Sequence, residues 1–278
     1  MKIGQALKVM RMELSMTQDE MCIGIVSRSF YAKVEAGKHE ISAEKLARIL
    51  LMHEIDISRF YQLIREDYIT ESQRKAEYLT GKMNIAVSMN DLDSLEECCS
   101  AIMKLGGYKI LKLRAIVTLA YFRKSLTDIS SEIKKEIYIN FDESEKWITR
   151  PELIRLLANT MPLWQQENLD FLIGRLLAYL KRKPKISSLM LERYLRLLSN
   201  YLVTCYDRSK ENKLLKFNHI DDVISYFEEL PPNFNLMIYK FDAKFSKALI
   251  QHNEDELERI KKDLLYYGFG EVTKSWTK

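Results

Sequence analysis

Glycine and proline are scarce in this chain, nine and five residues among 278. Extended low-complexity linkers are thereby excluded, and the abundance of Leu, Ile, Lys and Glu favours helices joined by short turns. Cysteine is confined to Cys22, Cys98, Cys99 and Cys205, with no CxxC spacing, and His39, His53, His219 and His252 stand apart. That pattern cannot complete a tetrahedral metal site, so no metal or cofactor is expected, and the thiols read as buried small apolar residues. No apolar run approaches the roughly 18 residues needed to cross a bilayer. The N-terminal "MKIGQALKVMRMELSM" is amphipathic and lacks the continuous apolar stretch of a secretory signal. A cytoplasmic protein without a membrane partner is the expectation. GxxxxGK(S/T), GxGxxG, HExxH and GxSxG are all missing, and the histidines carry no flanking constellation, so catalysis is not expected.

An excess of either charge sign is also wanting. The chain has 43 Lys plus Arg against 39 Asp plus Glu, a formal net charge of +4. Residues 1 to 68 are balanced at ten of each sign. Such a balance permits a nucleic-acid partner without demanding one.

What the chain does have is helical periodicity. Ile3, Leu7 and Met10 fall on one face of a first helix. Thr17 stands three residues before Glu20, a capping box that begins a second. Gly24 offers a turn, Ser27 an N-cap for a third helix, and Gly37 its stop. Ser42 caps a fourth helix with Leu46, Ile49 and Leu50 on its apolar face, and residues 55 to 64 supply a fifth. Arg11 and Glu35 are placed to clamp the first helix to the third. After Glu66 the segments lengthen, at about 71–89, 92–105, 108–124, 129–147, 150–161, 165–182, 186–207, 219–230, 234–251 and 254–266. The expected fold is all-α: a five-helix bundle over 1–66, then a tetratricopeptide-like α-solenoid of about five helix pairs over 67–278. A compact irregular helical domain is the alternative, and little or no sheet is expected.

Two short helices joined by a tight turn, the second opening on "SRSF", have the form of a helix-turn-helix reader of double-stranded DNA. The first turns of the second helix meet base edges, which nominates Ser27, Arg28, Ser29, Phe30 and Lys33. Arginine can pair bidentately with guanine, and serine can serve phosphate or base. Thr17 and Gln18, opening the preceding helix, would meet a phosphate. A solenoid also presents a concave surface suited to an extended peptide. Asn and Arg side chains off the apolar stripes nominate Arg155, Asn159, Arg193, Arg196 and Asn200, with Tyr239, Phe241 and Phe245 as possible walls of an apolar pocket. For any one of these a solvated face or a core position is the plainer reading. Trp147 and Trp164 read as core, and Cys98 with Cys99 as buried thiols and not as a redox pair.

The stretch "TQDEMCIGIVSRSFYAKVEAGKHEIS" resembles the Xre-type helix-turn-helix, at Thr17, Gln18, Ser27, Ser29, Glu35 and Gly37. The shortened turn and the "EIS" tail at Glu40, Ile41 and Ser42 are similar more narrowly to the Rgg/GadR/MutR regulators of Gram-positive bacteria. A looser likeness lies at "WITRPEL", Trp147 to Leu153, where Pro151 departs from the family pattern. The resemblance implies a homodimeric transcription regulator whose repeat domain binds a short hydrophobic signalling peptide, as in quorum sensing. If the two reading helices of a dimer are held about 34 Å apart, half-sites will recur one DNA turn apart. Some members join their dimer through a cysteine after the "EIS" tail; Ala43 stands there in this chain, so no such disulfide is expected. Two rival readings are a helical-repeat scaffold for a protein partner and a DNA-binding repressor controlled by a protein partner without a peptide.

Overall fold

A computed structural model of the chain describes residues 1–141, 145–182, 185–212 and 214–270. All regular secondary structure among the described residues is helical. Contacts divide the chain into two compact units, Met1–Tyr78 and Leu79–Lys278.

The first unit holds α1 (Ile3–Glu13), α2 (Gln18–Cys22), α3 (Arg28–Glu35), α4 (Ala43–Met52) and α5 (Ile57–Tyr68), and the start of α6 (Glu71–Met89). Its caps are those the sequence advertises. Thr17 Oγ1 accepts the Glu20 amide while the Glu20 carboxylate accepts the Thr17 amide, and Ser27 and Ser42 accept the amides of Phe30 and Lys45. Asp56 caps α5 by accepting the amides of Ser58 and Arg59. One core unites the inward faces, with Leu7, Met10, Met21, Tyr31, Val34, Ile49 and Phe60 buried together.

The passage of α1 across α3 is a main-chain contact. A Cβ at Gly4 would stand 1.8 Å from the Val34 carbonyl oxygen, a distance that no side chain can occupy. Glycine is therefore required at this crossing. Gly24 (φ +70°) and Gly37 (φ +71°) supply the left-handed backbone that turns the chain before and after α3.

The second unit continues through α7 (Leu92–Met103), α8 (Lys109–Phe122), α9 (Ser131–Tyr138), α10 (Pro151–Thr160), α11 (Gln166–Arg182), α12 (Ser188–Glu211), α13 (Ile220–Glu228), α14 (Met237–Ile250) and α15 (Glu254–Tyr266). With α6 these are ten α-helices among the described residues. Helices α8, α10, α12 and α14 pack one against the next in chain order, so they form one continuous layer. The intervening helices contribute to the same core, which runs from Leu113 and Val117 through Trp147, Leu157, Leu172, Leu198 and Phe227 to Ala243. Consecutive helices also pack directly at α7 with α8, α12 with α13 and α14 with α15.

The sequence expectation of one helix over 129–147 is corrected. Helix α9 ends at Tyr138, and Asn140 Nδ2 donates back to the carbonyls of Glu136 and Ile137, taking acceptors that a continuing helix would need. Phe141 and Trp147 then meet edge to face at 5.6 Å, with a short 3-10 turn at Glu145–Trp147. The final residues 271–278 and the segments 142–144, 183–184 and 213 lie outside the described residues. Trp147 and Trp164 are buried, and so are all four thiols, including Cys98 and Cys99.

Candidate functional site

Helix α3 rests on a polar clamp. Arg11 Nε and Nη2 donate to the two carboxylate oxygens of Glu35 at 2.7 and 3.1 Å, and Nη1 donates to the Met16 carbonyl at 2.7 Å. Gln18 Nε2 donates to the same carboxylate at 2.8 Å, which joins α1, α2 and α3 through one buried acid. Burial pushes the Glu35 carboxyl up, but the hydrogen bonds from Arg11 and Gln18 more than offset it and leave it below the ordinary range. The turn between α2 and α3 is held from the other side, where Arg48 Nη2 donates to the Gly24 carbonyl and His53 Nε2 lies 3.0 Å from the Met21 carbonyl.

On that base the nominated residues divide. Arg28, Ser29 and Lys33 are exposed on the first two turns of α3. Arg28 has a single charged neighbour, Asp19 at 3.5 Å, and both side chains are more than 60% exposed. Such a pair is weak and easily exchanged for a phosphate or base. Ser27 is exposed too, with its oxygen engaged as the N-cap while its hydroxyl proton remains available. Phe30 is only partly exposed, packs on the bundle core, lies 5.7 Å from the His39 ring and carries the Lys45 ammonium over its face at 5.3 Å. Its position is that of a wall residue beneath Lys45. Thr17 spends its hydroxyl within the capping box, and Gln18 spends its amide nitrogen on Glu35.

In the second unit a groove of about 610 Å³ opens along α8, α10 and α12. A volume of that size falls within the range of small-ligand sites, roughly 300–1,000 Å³. Thr118, Asn159 and Asn200 line it, one from each of the three helices, with Tyr121, Pro162 and Val203 giving it apolar wall. Asn200 Nδ2 donates to the Ala158 carbonyl at 3.1 Å, which fixes its amide plane at the groove. Arg208, toward the far end of α12, is saturated by protein acceptors: Gln166 Oε1 and the carbonyls of Met161 and Trp164.

Arg155 is exposed and Arg193 half-buried, each on the layer that carries the groove. Arg196 is exposed, and the Tyr239 hydroxyl and the Glu192 carboxylate raise its guanidinium above the ordinary range against the cost of burial. Tyr239 is otherwise buried, stacked on Phe227 with ring centroids 6.2 Å apart. Phe245 is 1% exposed in a cluster with Ala248, Leu257, Ile260 and Leu264 between α14 and α15, and presents no surface to a groove. Phe241 packs against that cluster, partly buried. Aromatics at helical spacing are core far more often than pocket, and Phe245 is an instance.

Arg114 escaped the sequence reading altogether. It is 7% exposed on α8, yet its only hydrogen bond within the described residues runs from Nε to Asn159 Oδ1 at 2.9 Å. Burial holds its guanidinium down to about 10, with the Arg155 charge adding to the effect. The signal was present in "KILKLRAIVTLAYF", where apolar residues surround the whole helix and leave Arg114 no solvated face on which to sit.

No family model matches the chain, and no curated protein sequence matches it. Solved structures do. The chain is similar to the SHP pheromone receptor Rgg2 of Streptococcus dysgalactiae at a TM-score of 0.70 and 13% identity, covering 99% of this chain and 97% of that one. It is similar to the PrgX/cCF10 complex at 0.62 and 17% identity, covering 99% and 97%. A structure of a bacterial peptide pheromone/receptor complex and its mechanism of gene regulation aligns at 0.61 and 16% identity over 99% and 95%. At these identities the common property is architecture, and along essentially its whole length the chain has the fold of Rgg2 and of PrgX.

Proposed function

We propose that the protein is a transcription regulator of the Rgg type, a cytoplasmic homodimer that binds double-stranded DNA through α3 and answers to a short hydrophobic peptide in the groove of its repeat unit. The observation that carries the DNA half is the division of labour on α3. Tyr31, Val34 and Glu35 are buried and fix the helix, while Arg28, Ser29 and Lys33 stand free of packing on the opposite side. A helix that serves only assembly has no need of a three-residue polar clamp, centred on the buried Glu35, behind an exposed basic face.

The peptide half is supported by the full-length likeness to the SHP pheromone receptor Rgg2 and to a bacterial peptide pheromone/receptor complex, and by a groove that offers one amide or hydroxyl from each of three neighbouring helices of one layer. Amide side chains in such a row match the donors and acceptors of an extended backbone. Because the peptide can act only through unequal affinity for two arrangements of the repeat unit, its effect on DNA binding equals that difference.

Fluorescence anisotropy of labelled fragments from upstream of the gene tests the reading. Binding should weaken steeply between 50 and 200 mM salt, in the manner of counterion release, and weaken again with Arg28→Ala. Salt-independent binding, or binding untouched by Arg28→Ala and Lys33→Ala together, would assign the first unit to assembly instead.

A further inference from the structure

One helical turn before Thr118, Asn159 and Asn200 the same three helices carry Arg114, Arg155 and Arg196, with Arg193 beside them on α12. The groove's lining on these helices begins at Thr118, Ala158 and Asn200, so Arg114, Arg155 and Arg193 precede it on all three. Their charges are close: burial lowers the Arg155 guanidinium and the Arg193 charge lowers it further, just as Arg155 acts on Arg114.

What makes the cluster unusual is the lack of counter-charge at pairing distance: Glu152 raises the Arg155 guanidinium, but only as a farther charge. Among the described residues Arg114, Arg155 and Arg193 have no carboxylate within 4.0 Å. The neighbouring acids are already engaged. Glu152 pairs with Arg150 at 2.8 Å and Glu192 pairs with Arg196 at 2.9 Å. Arg155 Nε donates to the Pro151 carbonyl and Arg193 Nη1 to the Met190 sulfur, neither of which neutralises a charge. Arg114 is the sharpest case. Of the five donors of its guanidinium, one is used, and the group is almost wholly withdrawn from water. Arg208, on the same layer at the other end of the groove, shows what a structural arginine looks like here, with three protein acceptors.

A buried cation without an acid is costly, and it is retained where something else supplies the anion. We propose that Arg114, Arg155 and Arg193 form an anion subsite just beyond the groove's lining that receives the C-terminal carboxylate of the bound peptide. This assignment rests on the reading of the groove as a peptide site. The terminal group is favoured over an acidic side chain by position, since the arginines precede the lining on all three helices and leave the Asn row for the backbone of the peptide. Guanidinium forks suit a carboxylate bidentately, and Asn159, held by Arg114, would be oriented by the same contact.

The test uses the full-length protein immobilised and offered a randomised library of apolar octapeptides. Half of each sequence carries a free carboxyl terminus and half a terminal amide, distinguished by mass label; a third pool is amidated with one internal Asp. Retained peptides are counted by mass spectrometry. Free-acid peptides should be enriched about tenfold or more over the amides. Arg155→Gln with Arg193→Gln, both on exposed or half-exposed positions that do not endanger folding, should abolish that preference. Equal retention of acids and amides by the unaltered protein overturns the subsite and leaves the peptide groove standing. Equal retention of the Asp-bearing amides and the free acids overturns the terminal assignment. Retention of no pool overturns the groove reading and the subsite with it.

Discussion

Arg11 and Glu35, 24 residues apart, close a two-pronged ion pair between α1 and the last turn of α3, at 2.7 and 3.1 Å. Glu35 is 6% exposed, and nothing in the bundle but Arg11 offers it a formal positive charge at hydrogen-bonding distance. Arg11→Ala should therefore destabilise the first unit by about 3 kcal/mol, the scale for stranding a buried charge. Arg11→Met with Glu35→Leu should recover most of that loss. Urea denaturation of both variants decides it: a double variant no more stable than the single would show that the acid is not what suffers.

The same pair sets an acid limit. Glu35 is held below the ordinary carboxylate range in the folded state, so its contribution is fully present above the unfolded value near 4.5 and is lost as pH falls through the lower, folded value. The stability advantage of the unaltered protein over Glu35→Gln, followed by urea denaturation, should be flat from pH 7 to 5 and shrink from pH 4.5 downward. An advantage that grows on acidification would reverse the sign of this account.

Gly4→Ala should cost about 1–3 kcal/mol, because the added carbon meets the Val34 carbonyl at 1.8 Å and only backbone movement can relieve it. Gly81→Ala, in the middle of α6 with nothing within 4 Å, should instead gain about 1 kcal/mol. The thermal midpoints of the two variants should move in opposite directions.

Arg114→Met removes a buried cation that has no acid, and without peptide it should raise the thermal midpoint of the protein, on the scale of about 1 kcal/mol. The loss of one hydrogen bond to Asn159 offsets part of this gain. A lowered midpoint would make Arg114 a structural tether for Asn159.

On DNA, Arg28→Ala should lower affinity for the preferred sequence by about 1–3 kcal/mol and flatten the preference for it, as loss of a base contact does. Lys33→Ala should weaken all sequences alike and reduce the slope of log affinity against log salt by about one, as loss of a phosphate contact does. Anisotropy titrations across a salt series separate the two.

Much of this architecture was legible because its signals are local. The caps at Thr17, Ser27 and Ser42 act within three residues, and the apolar stripes of α11 and α12 repeat at the helical period, so both could be read without a fold. The Arg11–Glu35 clamp was readable as well, since α1 and α3 had already been placed. What escaped depends on depth. The end of α9 is set by one asparagine turning back on its own helix, and the burial of Phe245 by α15 packing over it. Arg114 was passed over because a charged residue inside an apolar helix looks like a surface position until the layer above it is known. Of the groove, Asn159 and Asn200 are legible from their place off the apolar stripes, while Thr118 and the apolar wall come from positions that carry no signal of their own.

The bare backbone crossing at Gly4 has a bearing on how such a protein diversifies. Because the pose of α3 is set by main chain against main chain and by one inward acid, the outward positions Arg28, Ser29 and Lys33 owe nothing to folding. Under the proposed reading, a descendant could rewrite Arg28 and Ser29 and address a new sequence while the scaffold beneath stays as it was.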